Sequence, residues 1–380
     1  TPCFQSWKQL KSLSASGSRS AWQTKKPEGG IQMGEYMRGV VAIEPGRVEL
    51  RSDIPMPQPK DYECLVRIHA CGFCNGTDMQ IIHGTITEEE GMMPFPTLLG
   101  HEGVGEVIAI GNKVRHIQLG DRFIRPDTPK WYGKYSCTFG TMAEYAVATD
   151  RQAMIEDGVP AELMPDEGKC EKIPNAICFE DGAVMLSLLE CISAVHNFGL
   201  TGDMRVLIYG AGPMGMGVAA YLKILGAQVV LVDGIAERLE YAREQFGIEK
   251  TVNFREAPLA ERYEKRSFDA VIDLVGSTKI LAEGTDYLRQ GGTLCSMGVL
   301  KMTDAALNVT KLQNNTRLHM LNFPYQRMNY MPELVRLIHE GKIVPRKFYS
   351  HVLPAEQIED CVKLIQEKKA LKVVLSFDRQ

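Results

Sequence analysis

Hydrophobic and polar positions follow two different patterns along this chain. From residue 37 to about residue 123, short runs with β-like alternation are separated by Gly and Pro, which is typical of an all-β unit. The predicted strands of this part are 40–43, 47–51, 64–70, 105–110 and 121–124. We therefore expect the first part of the chain to fold as a β-rich domain.

From residue 181 onward the pattern changes. Residues 183–196 are apolar at helical spacing and long enough for a buried helix. Strands and helices then alternate, and this alternation builds a parallel sheet. The predicted strands are 204–209, 228–232, 268–274 and 292–297, and the predicted helices between them are 214–225 and 236–246. Helices 331–339 and 356–368 and a strand at 372–376 are predicted near the end.

These patterns predict an α/β protein of two domains, which also suits a length of 380 residues. Residues 37–190 and 330–380 form the β-rich domain, and residues 191–329 form a doubly wound parallel-sheet domain. Residues 1–36 are basic and rich in Ser, with no acid before Glu28. We expect them to be a disordered extension or a remnant of recombinant expression, with an organelle transit sequence as the alternative.

Composition limits the possible partners. The chain has 43 Lys and Arg against 47 Asp and Glu, with both signs mixed along its length, which argues against nucleic acid or an anionic membrane as the main partner. No apolar run reaches the roughly 18 to 20 residues of a bilayer span. The cysteines are scattered, which favours reduced thiols or a metal ligand over disulfides. A cytoplasmic protein that acts on a small molecule is expected.

A glycine-rich turn lies between a predicted strand and a predicted helix. Gly210 permits a tight turn, Gly212 lets a pyrophosphate approach the backbone, and Gly215 lets the helix pack closely on the strand. A phosphate group is favoured at the helix N-terminus, where unpaired N–H groups meet an anion. Pro213 and Met214 belong to the same predicted contact.

Asp233 ends the strand that follows this helix. An acid there can accept hydrogen bonds from the adenosine ribose and repel a 2′-phosphate, so NAD is favoured over NADP. The alternative is a helix cap. Arg238 either covers the adenine or lies solvated on the helix surface, and Val275 and Gly298 are predicted as further cofactor contacts.

Two segments of the β-rich domain carry side chains that zinc accepts. Cys71 and Cys74 form a Cys-x-x-Cys pair, and His101 and Glu102 lie between glycines. A catalytic zinc takes three protein ligands and leaves a fourth position to water or substrate. Because no second Cys-x-x-Cys pair completes a four-cysteine site, we interpret Cys74 as the ligand and Cys71 as structural.

Glu190 lies inside the predicted buried helix 183–196. A buried carboxylate is costly unless it is paired or bound to a cation, so Glu190 is a candidate metal ligand. The alternatives are an exposed position on the helix, or the adjacent Cys191 as the ligand.

The order of these motifs resembles that of the zinc-dependent medium-chain dehydrogenase/reductase superfamily, nearest its polyol (sorbitol) and threonine dehydrogenase-like branches. The resemblance covers about residue 37 to the C-terminus, and it rests on Thr77-Asp78, Gly100-His101-Glu102, Gly120-Asp121-Arg122, Glu190, the 210–215 turn and Asp233. It implies a GroES-like catalytic domain, a Rossmann domain, one catalytic zinc ion per chain, NAD, and a homo-oligomer of two or four chains.

By that resemblance Cys74, His101 and an acid hold the zinc. Glu190 matches the Glu of polyol dehydrogenases, and Glu102 could exchange on and off the metal, so the third ligand stays open. Thr77 would carry the alcohol proton away, although one residue more than usual separates it from Cys74. Residues 125–137 hold one cysteine where many relatives have four, so we predict no structural zinc. The insert 153–172 has no recognisable motif.

The resulting hypothesis is a zinc- and NAD-dependent dehydrogenase that transfers hydride from a secondary alcohol, of polyol or amino-alcohol type, and yields the ketone. Zinc would lower the pKa of the alcohol hydroxyl. A zinc-free quinone or enone reductase of the same superfamily and a non-catalytic nucleotide-binding protein are the alternatives. The ligand types at Cys74, His101 and Glu190 argue against both.

Overall fold

A computed structural model describes residues 23–24, 35–86, 91–165, 170–298, 300, 306–321 and 326–378. Its strands are β1 (Gln23–Thr24), β2 (Tyr36–Glu44), β3 (Arg47–Pro55), β4 (Glu63–Gly72), β5 (Thr97–Leu98), β6 (Glu102–Ile110), β7 (Arg122–Ile124), β8 (Trp131–Tyr132), β9 (Tyr135–Cys137), β10 (Tyr145–Thr149), β11 (Glu171–Ile173), β12 (Arg205–Tyr209), β13 (Gln228–Asp233), β14 (Thr251–Asn253), β15 (Phe268–Asp273), β16 (Leu288–Ser296), β17 (Arg317–Met320), β18 (His351–Pro354) and β19 (Val373–Ser376). The α-helices are α1 (Thr77–His83), α2 (Arg151–Glu156), α3 (Phe179–Gly182), α4 (Met185–Asn197), α5 (Pro213–Leu225), α6 (Ala236–Phe246), α7 (Thr278–Tyr287), α8 (Met331–His339) and α9 (Ile358–Gln366).

The chain divides into two compact units, one of Thr1–Leu186 with Tyr349–Gln380 and one of Ser187–Phe348. The boundaries predicted from the sequence are 190/191 and 329/330. The later boundary differs because the segment after 326 packs within the second unit, where Tyr221 donates a hydrogen bond to Glu333 of α8 (2.7 Å). The earlier boundary also differs, since all of α4 except its first two residues belongs to the second unit.

The first unit contains two sheets. One has the strand order β11-β7-β6-β4-β19-β18, with β1 against β6 and β10 against β4, and the other has the order β3-β2-β5-β9-β8. Its five predicted strands correspond to β2, β3, β4, β6 and β7, and their alternating side chains fill the core with residues such as Val66, Ile68 and Val107. The β-rich prediction is confirmed.

Register within this sheet decides which side chains meet. Strands β4 and β6 are antiparallel with Gly72 opposite Glu102, and β19 is antiparallel to β4 with Val374 opposite Gly72. The carboxyl end of β4 therefore lies beside the amino ends of both β6 and β19.

The second unit has one parallel sheet of the order β14-β13-β12-β15-β16-β17. Numbered from β12, this is the doubly wound order 3-2-1-4-5-6, whose strand order reverses between β12 and β15. Ligands of such folds bind in the crevice outside the carboxyl ends of these two strands. Helices α6 and α8 agree residue for residue with the predicted 236–246 and 331–339, and the prediction of a Rossmann domain is confirmed.

Some elements were not predicted. Strand β1 lies inside the segment expected to be a disordered extension and pairs with β6, while the other residues of that segment up to 34 lie outside the described residues. The insert 153–172 contributes the end of α2 and part of β11. Among the described helices, none combines the length and the apolar character that a bilayer span requires.

Candidate functional site

One group of ligand-type side chains lies in the first unit. Cys74, His101 and Glu102 each offer one ligand atom, and these atoms all lie within 4.8 Å of one another. Strand pairing brings these residues together, because Cys74 follows the end of β4 while His101 and Glu102 lie at the start of the paired strand β6. Strand register thus brings together three of the four side chains that the sequence analysis named as candidate metal ligands.

His101 is oriented by its two neighbours. Its Nε2 lies 3.8 Å from Oε1 of Glu102, and its Nδ1 lies 3.7 Å from Oδ1 of Asp78. Its ring packs against Phe139, with 4.9 Å between the centroids. The imidazole of a metal-binding histidine usually presents its second nitrogen to a carboxylate or carbonyl. Nε2 is therefore the nitrogen available to a metal among these ligands.

Asp78, which the sequence analysis named only as part of the Thr77-Asp78 motif, is a candidate partner of His101. It is fully buried on α1, and burial raises the pKa of its carboxyl to about 7. Its Oδ2 accepts a hydrogen bond from the backbone N–H of Cys74 (2.8 Å) while Oδ1 faces His101. Asp78 thus holds the backbone of one candidate ligand by a hydrogen bond and places a carboxylate oxygen near the ring of another.

The turn from Cys74 to Thr77 accommodates the extra residue noted in the sequence. The N–H of Thr77 points at Sγ of Cys74 (3.4 Å), and Nδ2 of Asn75 donates to the carbonyl of Leu371 (2.9 Å). The added length therefore folds into a hydrogen-bonded turn that also anchors the segment before β19. The backbone of Thr77, rather than its hydroxyl, contacts the candidate ligand, and the proton-carrying role of that hydroxyl stays a prediction.

Glu102 forms a buried ion pair that the sequence did not reveal. Nζ of Lys372 lies 2.7 Å from Oε1 and 2.6 Å from Oε2, and both residues are only 3% exposed. Burial by itself would lower the pKa of Lys372, but the Glu102 carboxylate raises it above its usual value. Gly72 leaves the room for this pair, since a Cβ there would lie 2.4 Å from Oε2 of Glu102 and 3.1 Å from Cε of Lys372.

The donor set fits zinc. One sulfur, one imidazole nitrogen and one carboxylate oxygen are ligands that zinc takes, and three of them leave a fourth position open. Burial and the neighbouring Glu102 carboxylate raise the pKa of the Cys74 thiol, so a cation among the donors would offset the cost of deprotonating it. Over the described ranges this is the single group of three or more such residues.

Cys71 lies outside this group. It is fully buried, and its Sγ contacts Oγ1 of Thr141 at 3.6 Å. Burial raises the pKa of its thiol, which suits a packed, protonated side chain. The interpretation of Cys71 as structural stays a prediction that these contacts favour.

Glu190, the fourth candidate ligand, belongs to the other unit. It lies on α4 in the second unit, where its Oε1 is 3.6 Å from Nε of the buried Arg327. The cost of burying the Glu190 carboxylate is therefore reduced by an arginine that the sequence analysis did not single out. Among the two acids left open, Glu102 is the one that lies with Cys74 and His101. The role of Glu190 as a metal ligand stays a prediction without support from these contacts.

The glycine turn of the second unit has the geometry that a pyrophosphate needs. Gly210 has a φ of +104°, which favours glycine, and a Cβ on Gly215 would lie 1.7 Å from the carbonyl oxygen of Gly210. A Cβ on Gly212 would meet nothing within 4 Å. The space beside Gly212 is therefore open at the N-terminus of α5, which begins at Pro213, and Met214 follows in its first turn. These residues fit a dinucleotide.

Asp233 ends β13 as expected and also holds the glycine turn. Its Oδ2 accepts from the N–H of Ala211 (2.6 Å) and its Oδ1 from the N–H of Ile235 (2.9 Å). Burial lowers the pKa of the Arg238 guanidinium, and Asp233 partly offsets this. Arg238 is thus half-buried near Asp233 rather than fully solvated.

Val275 and Gly298 lie at the carboxyl ends of β15 and β16. Val275 is 57% exposed, and its Cγ2 would be 3.0 Å from a Cβ on Gly210. Gly298 is pressed against Gly276, since a Cβ there would lie 2.0 Å from the Gly276 nitrogen. Both predicted contacts therefore lie at the same sheet edge as the glycine turn.

Both parts of the chain match known dehydrogenases. Residues 60–158 match the family model of the alcohol dehydrogenase GroES-like domain, and residues 213–340 match that of the zinc-binding dehydrogenase. Sorbitol dehydrogenase of Ovis aries is 28% identical over 349 residues, covering 89% of this chain and 96% of the relative. D-arabinitol dehydrogenase 1 of Uromyces fabae is 25% identical, covering 86% and 93%. The crystal structure of benzyl alcohol dehydrogenase from Acinetobacter calcoaceticus superposes with a TM-score of 0.75 at 21% identity, covering 90% and 99%.

The chain belongs to the zinc-dependent medium-chain dehydrogenase/reductase superfamily. Within that superfamily it is an alcohol dehydrogenase that depends on zinc and on a nicotinamide dinucleotide, NAD or NADP. The prediction of a GroES-like domain with a Rossmann domain is confirmed by the same matches.

Proposed function

We propose that this enzyme oxidises a secondary hydroxyl of a polyol to the ketone, with NAD as the hydride acceptor and with zinc held by Cys74, His101 and Glu102. The observation that carries the proposal is the buried group of these three side chains, whose ligand atoms lie within 4.8 Å of one another. The similarity to sorbitol and arabinitol dehydrogenases over most of the chain supports the polyol as substrate class.

Residues of the first unit have two roles at the metal site, binding the ion and positioning its ligands. Zinc at this position supplies a positive charge that lowers the pKa of the substrate hydroxyl. Cys74, His101 and Glu102 hold the ion, while Lys372 fixes the Glu102 carboxylate and Asp78 fixes the His101 ring.

The proton and the alcohol need a path and a fixed orientation. The hydroxyl of Thr77, on the first residue of α1, takes the proton released by the substrate and passes it towards solvent. Catalysis further requires that the carbinol carbon be held close to the nicotinamide and that water be excluded.

The residues of the second unit hold the cofactor. Gly212, Pro213 and Met214, at the N-terminus of α5, would hold the pyrophosphate of the dinucleotide. Asp233 accepts hydrogen bonds from the adenosine ribose and repels a 2′-phosphate, which favours NAD over NADP. The remaining proposed contacts are Gly210, Gly215, Arg238 over the adenine, Val275 and Gly298.

Metal content and substrate range test this proposal together. We expect about one zinc ion per chain, the number of a catalytic site with three protein ligands. NAD reduction should be faster with polyols than with amino alcohols or simple alcohols. Cys74→Ala should lose both zinc and turnover. Cys71→Ala is the matched control, because it removes the neighbouring buried thiol that lies outside the ligand group, and it should retain both. Unchanged turnover in a metal-free Cys74→Ala protein would overturn the proposal.

We also propose a cytoplasmic homo-oligomer of two or four chains that acts on its small-molecule substrate without nucleic acid or membrane. Buried thiols such as Cys64, Cys295 and Cys361 are free, which suits a reducing compartment. Light scattering on the purified enzyme tests the oligomeric state, and a monomer would contradict it.

A further inference from the structure

Asp273 is a fully buried carboxylate to which the dinucleotide motif assigns no role. It is the last residue of β15, and its neighbours across the sheet are Tyr209 of β12 and Ser296 of β16. It therefore lies at the point where the strand order reverses, below the crevice in which such folds bind their ligands.

Four donors converge on the two oxygens of this carboxylate. Oδ1 accepts from the N–H groups of Val275 (2.9 Å) and Gly276 (3.0 Å), and Oδ2 accepts from the N–H of Ser277 (3.0 Å) and the hydroxyl of Ser296 (3.2 Å). Hydrogen bonds to an ionised acceptor are stronger than neutral ones. Three successive backbone N–H groups are thereby fixed around a single side chain.

The backbone of Asp273 extends the same connection to the next strand. Its carbonyl oxygen accepts from the N–H groups of Met297 (3.0 Å) and Gly298 (3.2 Å). Gly276, with a φ of +85°, lies directly against Gly298. One residue therefore determines the conformation of both loops that leave the carboxyl ends of β15 and β16.

The loop that Asp273 holds presents an exposed apolar side chain. Val275 is 57% exposed and lies beside Gly210, the first glycine of the phosphate turn. A doubly wound sheet binds one mononucleotide on each side of the strand reversal. Asp233 marks the adenosine side, at the end of β13, so Val275 stands on the side of the nicotinamide.

We infer that Asp273 is a positioning residue for the nicotinamide half of the cofactor. Its carboxylate fixes the loop 274–277, and this loop holds Val275 beside Gly210, where its side chain would face the nicotinamide ring. The inference rests on the proposed cofactor contact of Val275. Asp273 itself touches no cofactor atom and acts through the loop.

The test compares two ligands that differ by the nicotinamide. Asp273→Asn keeps an oxygen for Val275 and Gly276 but turns an amide N–H towards that of Ser277, so the loop loses part of its support. The dissociation constant of NADH should rise about tenfold, the factor that corresponds to one lost hydrogen bond of this kind. That of ADP-ribose, which lacks the nicotinamide, should change less than about twofold. General damage to the domain would weaken both ligands alike.

Two further variants keep the test decisive. Asp269→Asn is the matched control, since Asp269 lies on the same strand at its other end, where it accepts from the N–H of Arg205 (2.7 Å). It should bind NADH as the native enzyme does. Ser296→Ala removes a single hydrogen-bond donor to Asp273. It should weaken NADH binding two- to threefold and leave ADP-ribose binding unaffected. This variant provides the test if Asp273→Asn does not fold.

Val275→Ala separates the inference from the proposal on which it rests. If Val275→Ala weakens NADH while Asp273→Asn binds it normally, the inference is wrong and the proposed contact stands. If Val275→Ala binds NADH normally, the proposed contact is wrong and the inference is overturned with it. Equal loss of NADH and ADP-ribose affinity in Asp273→Asn also overturns the inference, since it indicates a structural role alone.

Discussion

The dinucleotide site and the metal centre of this enzyme are built in opposite ways. The phosphate turn is made of backbone, and its glycines lie within the six residues 210–215. The metal centre is made of side chains carried by separate parts of the chain, and the pair between Glu102 and Lys372 joins residues 270 positions apart. A site made of backbone is a local property of the sequence, whereas a site made of side chains depends on strand pairing.

The two sites also differ in how deeply they bury charged side chains. Around Gly212 the protein leaves open space at the N-terminus of α5, and Asp233, the acid that holds the turn, is only partly buried. The metal centre buries Glu102, Lys372 and Asp78, and such burial is costly unless each charge has a partner. We therefore expect substitutions at the metal centre to change folding and metal binding together, while substitutions at the turn can separate stability from cofactor affinity.

The largest effect is expected for Lys372→Met. In the metal-free enzyme it leaves the Glu102 carboxylate buried without its ammonium partner, which costs about 3–5 kcal/mol of the free energy of unfolding. Zinc should reduce this loss, because it gives Glu102 another cation. Urea unfolding with and without zinc measures the difference.

Lys369→Met is the matched control, since Lys369 forms an exposed ion pair with the nearby Glu367, and loss of this pair should cost about 0–1 kcal/mol. An equal loss for Lys372→Met with and without zinc would show that Glu102 is not a metal ligand, and the contrast between the two sites would then weaken.

The glycine turn gives the second prediction. Gly215→Ala places a Cβ against the carbonyl of Gly210 and should cost about 3 kcal/mol of stability. Gly212→Ala has room for its Cβ and should stay within about 0.5 kcal/mol of the native stability. It should nevertheless weaken NADH about tenfold, because the methyl occupies the space of the pyrophosphate. Thermal unfolding and NADH titration check both, and native affinity in Gly212→Ala would mean that the pyrophosphate lies elsewhere.

Asp78→Asn is expected to have a smaller and more selective effect. The amide oxygen can still accept a hydrogen bond from the N–H of Cys74, but the side chain no longer presents a carboxylate to Nδ1 of His101. Zinc affinity, measured by competition with a chelator, should fall about 10- to 100-fold. Asp150→Asn, at another buried carboxylate that accepts backbone N–H groups (Ala153, 2.9 Å), should leave zinc affinity unchanged. A loss common to both variants would assign Asp78 a structural role only.

The smallest effect is expected for Asp233→Asn. The amide retains an acceptor for Ala211, so the turn should hold, while the charge that repels a 2′-phosphate is removed. The ratio of NAD to NADP affinity should fall about tenfold. An unaltered ratio would show that Asp233 supports the turn without selecting the cofactor.

Prediction from the sequence succeeded where the signal was local. The helices 236–246 and 331–339 were found residue for residue, because their apolar spacing and their ends are contained within each segment. The short helix α1 was missed, since seven residues give too few turns for periodicity to show. Asp78 was missed as a partner of His101 for that reason, although it was read as part of the Thr77-Asp78 motif.

Long-range partners were beyond the reach of these arguments. Glu190 was considered a ligand because a buried carboxylate needs a cation, and Arg327 lies beside it, which the sequence did not indicate. A pattern in one segment cannot state which residue from another segment will face it. The same holds for Lys372, whose position next to Glu102 follows only from the pairing of β19 with β4.

The sequence alone determined the class of this protein, because a strand, a glycine turn, a helix and an acid follow one another within a single β-α-β unit, and because the types of zinc ligand can be recognised by their chemistry. Only the tertiary structure decided which acid lies beside Cys74 and His101, which lysine balances it and which buried aspartate holds the loop of Val275. Those relations depend on strand register, which brings distant residues together and which no local pattern contains.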